Sequence, residues 1–260
     1  MSDKTSIEYR YDGTFSGFLT AVFDVYSRKD NPGVILPFNA PALLFTDKYE
    51  VVTDAGKSDR VWSGIARTGG QRSGEHLYYA FLSCDKDVEM VLLQYLRHLF
   101  LSGHAVMDDL SNPYVLKVHK LYRTVSREAQ RILMFLRFEL SADNIYFAPF
   151  APKYDVIPLT LGHFKDRFAD QKWIIYDTLR NYGFYYDMQT IERITIDTPA
   201  FSSETGNLFN GVEHSDEDKW QDMWRTYFKG MAIAERKNLA LQRNFMPKRF
   251  WKYLTEKKRI

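Results

Sequence analysis

The sequence predicts an α+β fold, with an antiparallel sheet in the centre of the chain and helices from the N-terminal, middle and C-terminal regions packed around it. Three observations carry this expectation. Helical hydrophobic periodicity recurs near the start, in the middle and near the end of the chain. Between the middle and last helices, short β-rich runs follow in the order two strands, helix, three strands, with brief connections that suit hairpins. At 260 residues, with 45% hydrophobic and 26% charged, the chain has ample apolar material for a buried core and is neither disordered nor fibrous. It is treated as one domain over 1–260, with sub-regions 1–110 mainly helical, 111–196 helix plus antiparallel sheet, 197–215 an acidic loop and 216–260 C-terminal helices.

Each element has a local cause. IEYRY reads as a short strand ending at the Asp12-Gly13 turn; Thr14 then caps a helix to about Lys29, whose Phe15, Phe18, Leu19 and Val22 recur at helical spacing. Asn31-Pro32-Gly33 stops it. ALLF (42–45) and YEVVTD (49–54) look extended, and helices are expected over Lys57–Ala66, Ser73–Leu82 and Asp85–Leu101. The helix from Asn112 is the clearest. At about 100° per residue, Val118, Leu121, Tyr122, Val125, Ala129, Ile132 and Leu133 share one side, while Lys117, Lys120, Arg123, Arg127 and Arg131 share the other. LMFLRFEL and NIYFAPFA then read as paired strands, Ile157–Phe168 as a short helix, and KWIIYD, FYYD and IERITID as three further strands. Residues 197–215 read as a loop. Ser215 and Asp218 form a capping-box pattern for a helix placing Trp220, Met223, Trp224, Tyr227, Phe228 and Met231 at core spacing, and Pro247 opens a last short helix, KRFWKYLTEKK.

The formal net charge of +2 conceals segments of opposite sign. Residues 112–137 carry six Lys or Arg against Glu128 alone, residues 197–224 carry seven acids against Lys219, and residues 229–260 carry ten Lys or Arg against Glu235 and Glu256. No apolar run reaches the roughly 20 residues of a spanning helix, so no membrane partner is expected. The start, MSDKTSIEYRYDG, lacks the apolar stretch of a secretory signal, and the expected compartment is the cytoplasm. One cysteine, Cys84, excludes an internal disulfide and any multi-cysteine cluster within this chain; its bland reading is a small packing residue. The six histidines show no zincin spacing and no phosphate-binding glycine loop is present, so neither a metal nor a cofactor is expected.

Two constellations could carry chemistry. In residues 162–187, His163 and Arg167 share a helical face beside Asp166, and Asp177 and Arg180 follow on a predicted hairpin. These five are the candidate catalytic residues, with His163 moving a proton or contacting phosphate, the arginines binding an anion and Asp177 orienting them. The alternative is an Arg–Asp network that merely ties helix to sheet. The second constellation is basic: Lys117, Lys120, Arg123, Arg127 and Arg131 on the middle helix, and Arg243, Lys248, Arg249, Trp251 and Lys252 in the tail. Cations interleaved with rings suit nucleic acid, the cations neutralising phosphates and the rings stacking on bases. The competing readings are a solvated helix face and, for Phe245, Phe250 and Trp251, anchors that dock the tail on the core.

YDGTFSGFLTAVFDVY at the start, TDAGKSDRVWSGI in 53–65, VSREAQRILMFLRFE in 125–139, HFKDRFADQKWIIYDTLRNYGFYYD in 163–187 and AIAERKNLALQRNFMPKRFWKYLTE at the end resemble, in the right order, the bacterial family of "probable DNA metabolism" proteins, domain-of-unknown-function family 4130. The resemblance implies a DNA partner and a radical S-adenosylmethionine protein of DNA modification or repair as companion; in some proteins the domain is fused to a uracil-DNA-glycosylase-like domain. It carries over no catalytic residue. A radical S-adenosylmethionine cluster takes three thiolates, so the lone Cys84 implies that iron–sulfur chemistry in such a pair belongs to the companion. The expected role is the DNA-binding or specificity component. The alternatives are a hydrolase or lyase acting on damaged bases or abasic sites, and an interaction scaffold.

Overall fold

The computed structural model describes residues 7–41, 46–196, 214–231 and 238–257. The chain divides into two compact units, Met1–Ser126 and Arg127–Ile260. The ALLF segment, the loop over 197–213 and the basic residues Arg236, Lys237, Lys258 and Arg259 lie outside the described residues.

In the first unit, strand β1 (Ile7–Tyr11) sits between β2 (Val34–Pro37) and β3 (Asp47–Glu50), both parallel to it. The sequence reading has no parallel sheet here, although helices still supply most of the described residues of this region. Two of its strands have four residues each, too few for a clear period-2 pattern, and helix α1 (Phe15–Arg28) supplies the crossover that parallel pairing needs. Thr14 caps α1, its side chain accepting from the Gly17 N–H. On one face of β1, Tyr9 and Tyr11 are buried in the core, the Tyr11 hydroxyl donating to Glu89 at 2.8 Å. On the other face Glu8 and Arg10 are buried as an ion pair, and the Arg10 guanidinium donates to the carbonyls of Pro37, Ala40 and Pro41.

Helix α2 (Ala55–Phe81) covers both helices expected between Lys57 and Leu82. They meet at Gly70, which stands at φ 73°, ψ 172°, a conformation essentially reserved for glycine. Helix α3 (Val88–Ser102) contributes Leu92, Leu93, Leu96 and Leu99 to the core. Cys84 lies between α2 and α3 at φ 48° and is exposed, so it does not pack as a small core residue.

Helix α4 (Pro113–Phe135) spans the division between the units. Its apolar residues behave as their spacing predicts: Val115, Val118 and Leu121 enter the first core, and Ile132 is buried in the second unit. It continues through Leu133, Met134 and Phe135, which corrects the reading of LMFLRFEL as a strand; only β4 (Glu139–Leu140) remains extended. The second sheet has the order β4-β5-β6-β7-β8, with β5 (Tyr146–Phe150), β6 (Trp173–Asp177), β7 (Tyr182–Tyr186) and β8 (Ile191–Ile194). It is mixed rather than antiparallel, because β5 and β6 run parallel, Phe147 opposite Ile174. The intervening chain includes helix α5 (Leu161–Arg167), whose Phe164 packs on Trp173, and a crossover through a packed helix returns the chain in the same direction.

Helix α6 (Glu217–Gly230) and helix α7 (Leu239–Phe245) follow, then a 3₁₀ segment, Lys248–Tyr253, in place of the expected terminal helix. The capping box does not form. Asp216 occupies the cap position without a side-chain bond to the helix, and its N–H donates to His214 Nδ1. Nor does α6 bury its aromatic face, since Trp220 is 56% exposed and Tyr227 58%, with Met223, Trp224 and Met231 exposed as well. The tail does dock through Phe250, fully buried and stacked on Phe150 with ring centroids 4.9 Å apart.

Candidate nucleic-acid interface

The site in the second unit is organised by one acid. Glu128, on the buried side of α4, is 1% exposed. Its Oε2 accepts from Arg131 Nη1 at 3.2 Å and from Arg249 Nη2 at 2.6 Å, and its Oε1 accepts from the backbone N–H of Lys153 at 3.0 Å. An Arg three residues further along a helix lies within reach of the acid by helical geometry alone. Arg249 reaches it because Phe250 anchors the next position of the tail on Phe135 and Phe150. The helical and tail parts of the basic constellation therefore meet in this unit at Arg131 and Arg249. Arg127 on α4, and Arg243 and Lys248 in the tail, are exposed.

Trp251 and Lys252 are half-buried. The Trp251 indole N–H donates to the Met246 carbonyl at 3.0 Å, and Lys257 Nζ lies 5.3 Å from its ring centroid, so this ring is already engaged by its own segment. Lys252 Nζ lies 4.9 Å from the ring centroid of Tyr253. In the first unit, Lys120 and Arg123 are exposed on α4, while Lys117 is paired with Asp85.

The polar constellation separates into two parts. Asp177, fully buried at the end of β6, accepts from the N–H groups of Leu179 and Arg180 and from Arg180 Nη1 at 2.7 Å. Burial pushes its carboxyl above the usual range against the pull of Arg180. Arg180 also donates to the carbonyls of Pro152 and Lys153. His163, Asp166 and Arg167 are exposed on α5. The structure thus joins Asp177 to Arg180 and leaves the α5 residues on the surface. No group of three or more His, Cys, Asp or Glu suited to a metal occurs among the described residues, and no helix among them is long and apolar enough to cross a membrane.

Sequence reasoning counted Glu128 only as an interruption of the basic stripe; by spacing it falls at the border of the apolar and basic faces, between Leu121 and Lys117, so spacing carried no sign that it is buried and paired. It also missed a cavity of about 430 Å³ beneath α6, lined by Phe138, Tyr146, Trp220 and Trp224 together with Arg137 and Glu217. Glu217 holds the start of α6 to β4 by accepting from the Leu140 N–H at 2.9 Å, and Glu256 accepts from both Trp224 Nε1 and Arg137 Nη2, each at 2.9 Å. Burial alone would raise the Glu256 carboxyl, but these donors hold it below the usual range.

A family model described as "Domain of unknown function (DUF4130)" matches residues 86–256. No curated protein matches the chain. Among solved structures, the pGpG-specific phosphodiesterase of Vibrio cholerae is similar at 10% identity and a TM-score of 0.29, covering 87% of this chain and all of that one, a likeness too low to carry an argument.

Proposed function

The chain belongs to the DUF4130 family, and from that premise we propose that it is the DNA-binding or specificity component of a DNA repair or modification system. The single observation that supports the reading is the meeting of the α4 stripe and the basic tail at Glu128, where Arg131 and Arg249 are held side by side on one carboxylate. Guanidinium groups fixed in this way are pre-organised for phosphate oxygens, which they bind through paired N–H donors. Exposed Arg127, Arg243 and Lys248 extend the positive charge within the same unit, and Lys120 and Arg123 supply it in the other.

The companion in this proposal is a radical S-adenosylmethionine protein. With Cys84 as its sole cysteine, the chain has too few thiolates for such a cluster, so the companion would hold it and perform the radical chemistry. This chain would bind the DNA backbone and present the site of reaction.

Fluorescence anisotropy with a labelled oligonucleotide tests the reading. Binding should weaken steeply with salt and fall when Arg123 and Arg127 are both changed to Glu, substitutions that leave the Glu128 pairs intact. Salt-independent binding, or affinity unchanged in that variant, overturns it.

A further inference from the structure

We propose that the cavity beneath α6 receives a single unstacked nucleobase, an inference that rests on the DNA reading above and gives it a base-binding site. The cavity lies wholly within the second unit, and its volume of about 430 Å³ falls in the range of roughly 300–1,000 Å³ typical of small-molecule sites. A second cavity of about 250 Å³ shares Arg137, Phe138 and Tyr146 with it and adds Phe168, Gln171 and Trp173. The walls are thus rings, with a few polar groups among them.

Two buried donors sit on residues that line these cavities. Trp173 is fully buried and lines the smaller cavity, yet its Nε1 has no hydrogen-bond partner among the described residues. Arg137 lines both cavities; its Nη atoms are committed to Glu256 and to the Met134 and Leu136 carbonyls, while its Nε is buried without a partner among the described residues. Folded proteins rarely leave such N–H groups unsatisfied, so acceptors are called for at this place. A nucleobase offers carbonyl and ring-nitrogen acceptors on its edge and a π face for the rings, the combination by which proteins hold bases taken out of a stack.

The exposure of α6 fits the same occupant. Trp224 is fixed by its bond to Glu256 and by the Arg137 guanidinium 5.4 Å from its ring, whereas Trp220 lines the cavity and remains 56% exposed. Trp220 is therefore the ring free to close over an entering base.

The test uses the full chain and a short single-stranded oligonucleotide carrying one 2-aminopurine, read by anisotropy and by 2-aminopurine fluorescence across a salt series. Trp220→Ala, at an exposed position where the fold should tolerate it, is expected to lower affinity about tenfold and abolish the fluorescence change while leaving the salt slope as it was. Trp173→Phe keeps a ring but removes the unpartnered donor, and should lower affinity several-fold. If both variants match the unaltered protein while salt-dependent binding persists, the base pocket is overturned and the DNA reading stands, with water left to satisfy the two donors. If the unaltered protein binds no DNA at all, both fall together.

Discussion

Glu128 and Arg180 hold the same residue by its two backbone groups: the Lys153 N–H donates to Glu128 Oε1 at 3.0 Å, and the Lys153 carbonyl accepts from Arg180 Nη2 at 3.0 Å. Through it the basic constellation on α4 and in the tail is continuous with the Asp177–Arg180 pair on the sheet. One hydrogen-bonded network thus fixes α4, the chain after β5, the β6–β7 turn and the tail. Charged groups tied this way hold a binding surface in register, and the network makes the following outcomes testable.

Glu128→Gln should lower both stability and DNA binding. Removing a buried charge that holds two guanidinium groups should cost roughly 2–4 kcal/mol in a denaturant titration, with Arg249 leaving its place. Without the carboxylate that holds them side by side, Arg131 and Arg249 should bind DNA less tightly at low salt, read by anisotropy.

Arg127→Glu should weaken binding to all DNA sequences alike, because a phosphate contact carries no base information. The slope of log affinity against log salt should fall by about 1 or more, while the melting temperature of this exposed position stays unchanged.

Gly70→Ala should destabilise the first unit by about 1–3 kcal/mol without touching a side-chain contact, since no described atom lies within 4 Å of an added Cβ. The cost arises from the backbone at φ 73°, ψ 172°, where α2 changes direction. Thermal unfolding of the variant measures it.

His76 gives the first unit an acid sensitivity. The ring is buried, stacked on Tyr122 at 3.7 Å, and its Nδ1 donates to the Arg72 carbonyl. Burial holds its pKa below the ordinary 6.5 against the pull of the Arg72 carbonyl, with the charges of His119 and Arg72 adding to the effect and Glu75 opposing it. The unfolded chain therefore binds the proton more readily, so the stability present above about pH 6.5 should be lost as pH falls through the folded pKa. Denaturation at pH 7.5 and at pH 5.5 measures the loss, and His76→Phe should shrink the difference.

Glu256 behaves likewise at lower pH. Its folded pKa is held down by Trp224 and Arg137, so the attachment of α6 should weaken as pH falls below the ordinary carboxylate value of 4.5. Trp fluorescence followed against pH should report the release of Trp224, and Glu256→Gln should show the released signal at neutral pH.

The sequence by itself determined the helices α1 to α5, the start of α1 at Thr14, the positions of β5 to β8, and the basic stripe, but not α7 or the C-terminal end of α4. Each depends on periodicity or capping within a few neighbouring residues, which the order of side chains records directly. Tertiary structure decided the direction of β6, because whether β5 and β6 run parallel depends on how α5 packs across the intervening chain. It likewise decided that β1 pairs with two strands of four residues each, whose own patterns are too short to declare a sheet. The apolar spacing of α6 promised burial, but an amphipathic helix is buried only where another surface meets it, and Trp220 and Tyr227 remain exposed. Glu128 illustrates the same limit most plainly. Spacing puts it at the border of the apolar and basic faces of α4 and leaves its burial open, whereas its ion pair with a residue 121 positions away could arise only once Phe250 had docked the tail.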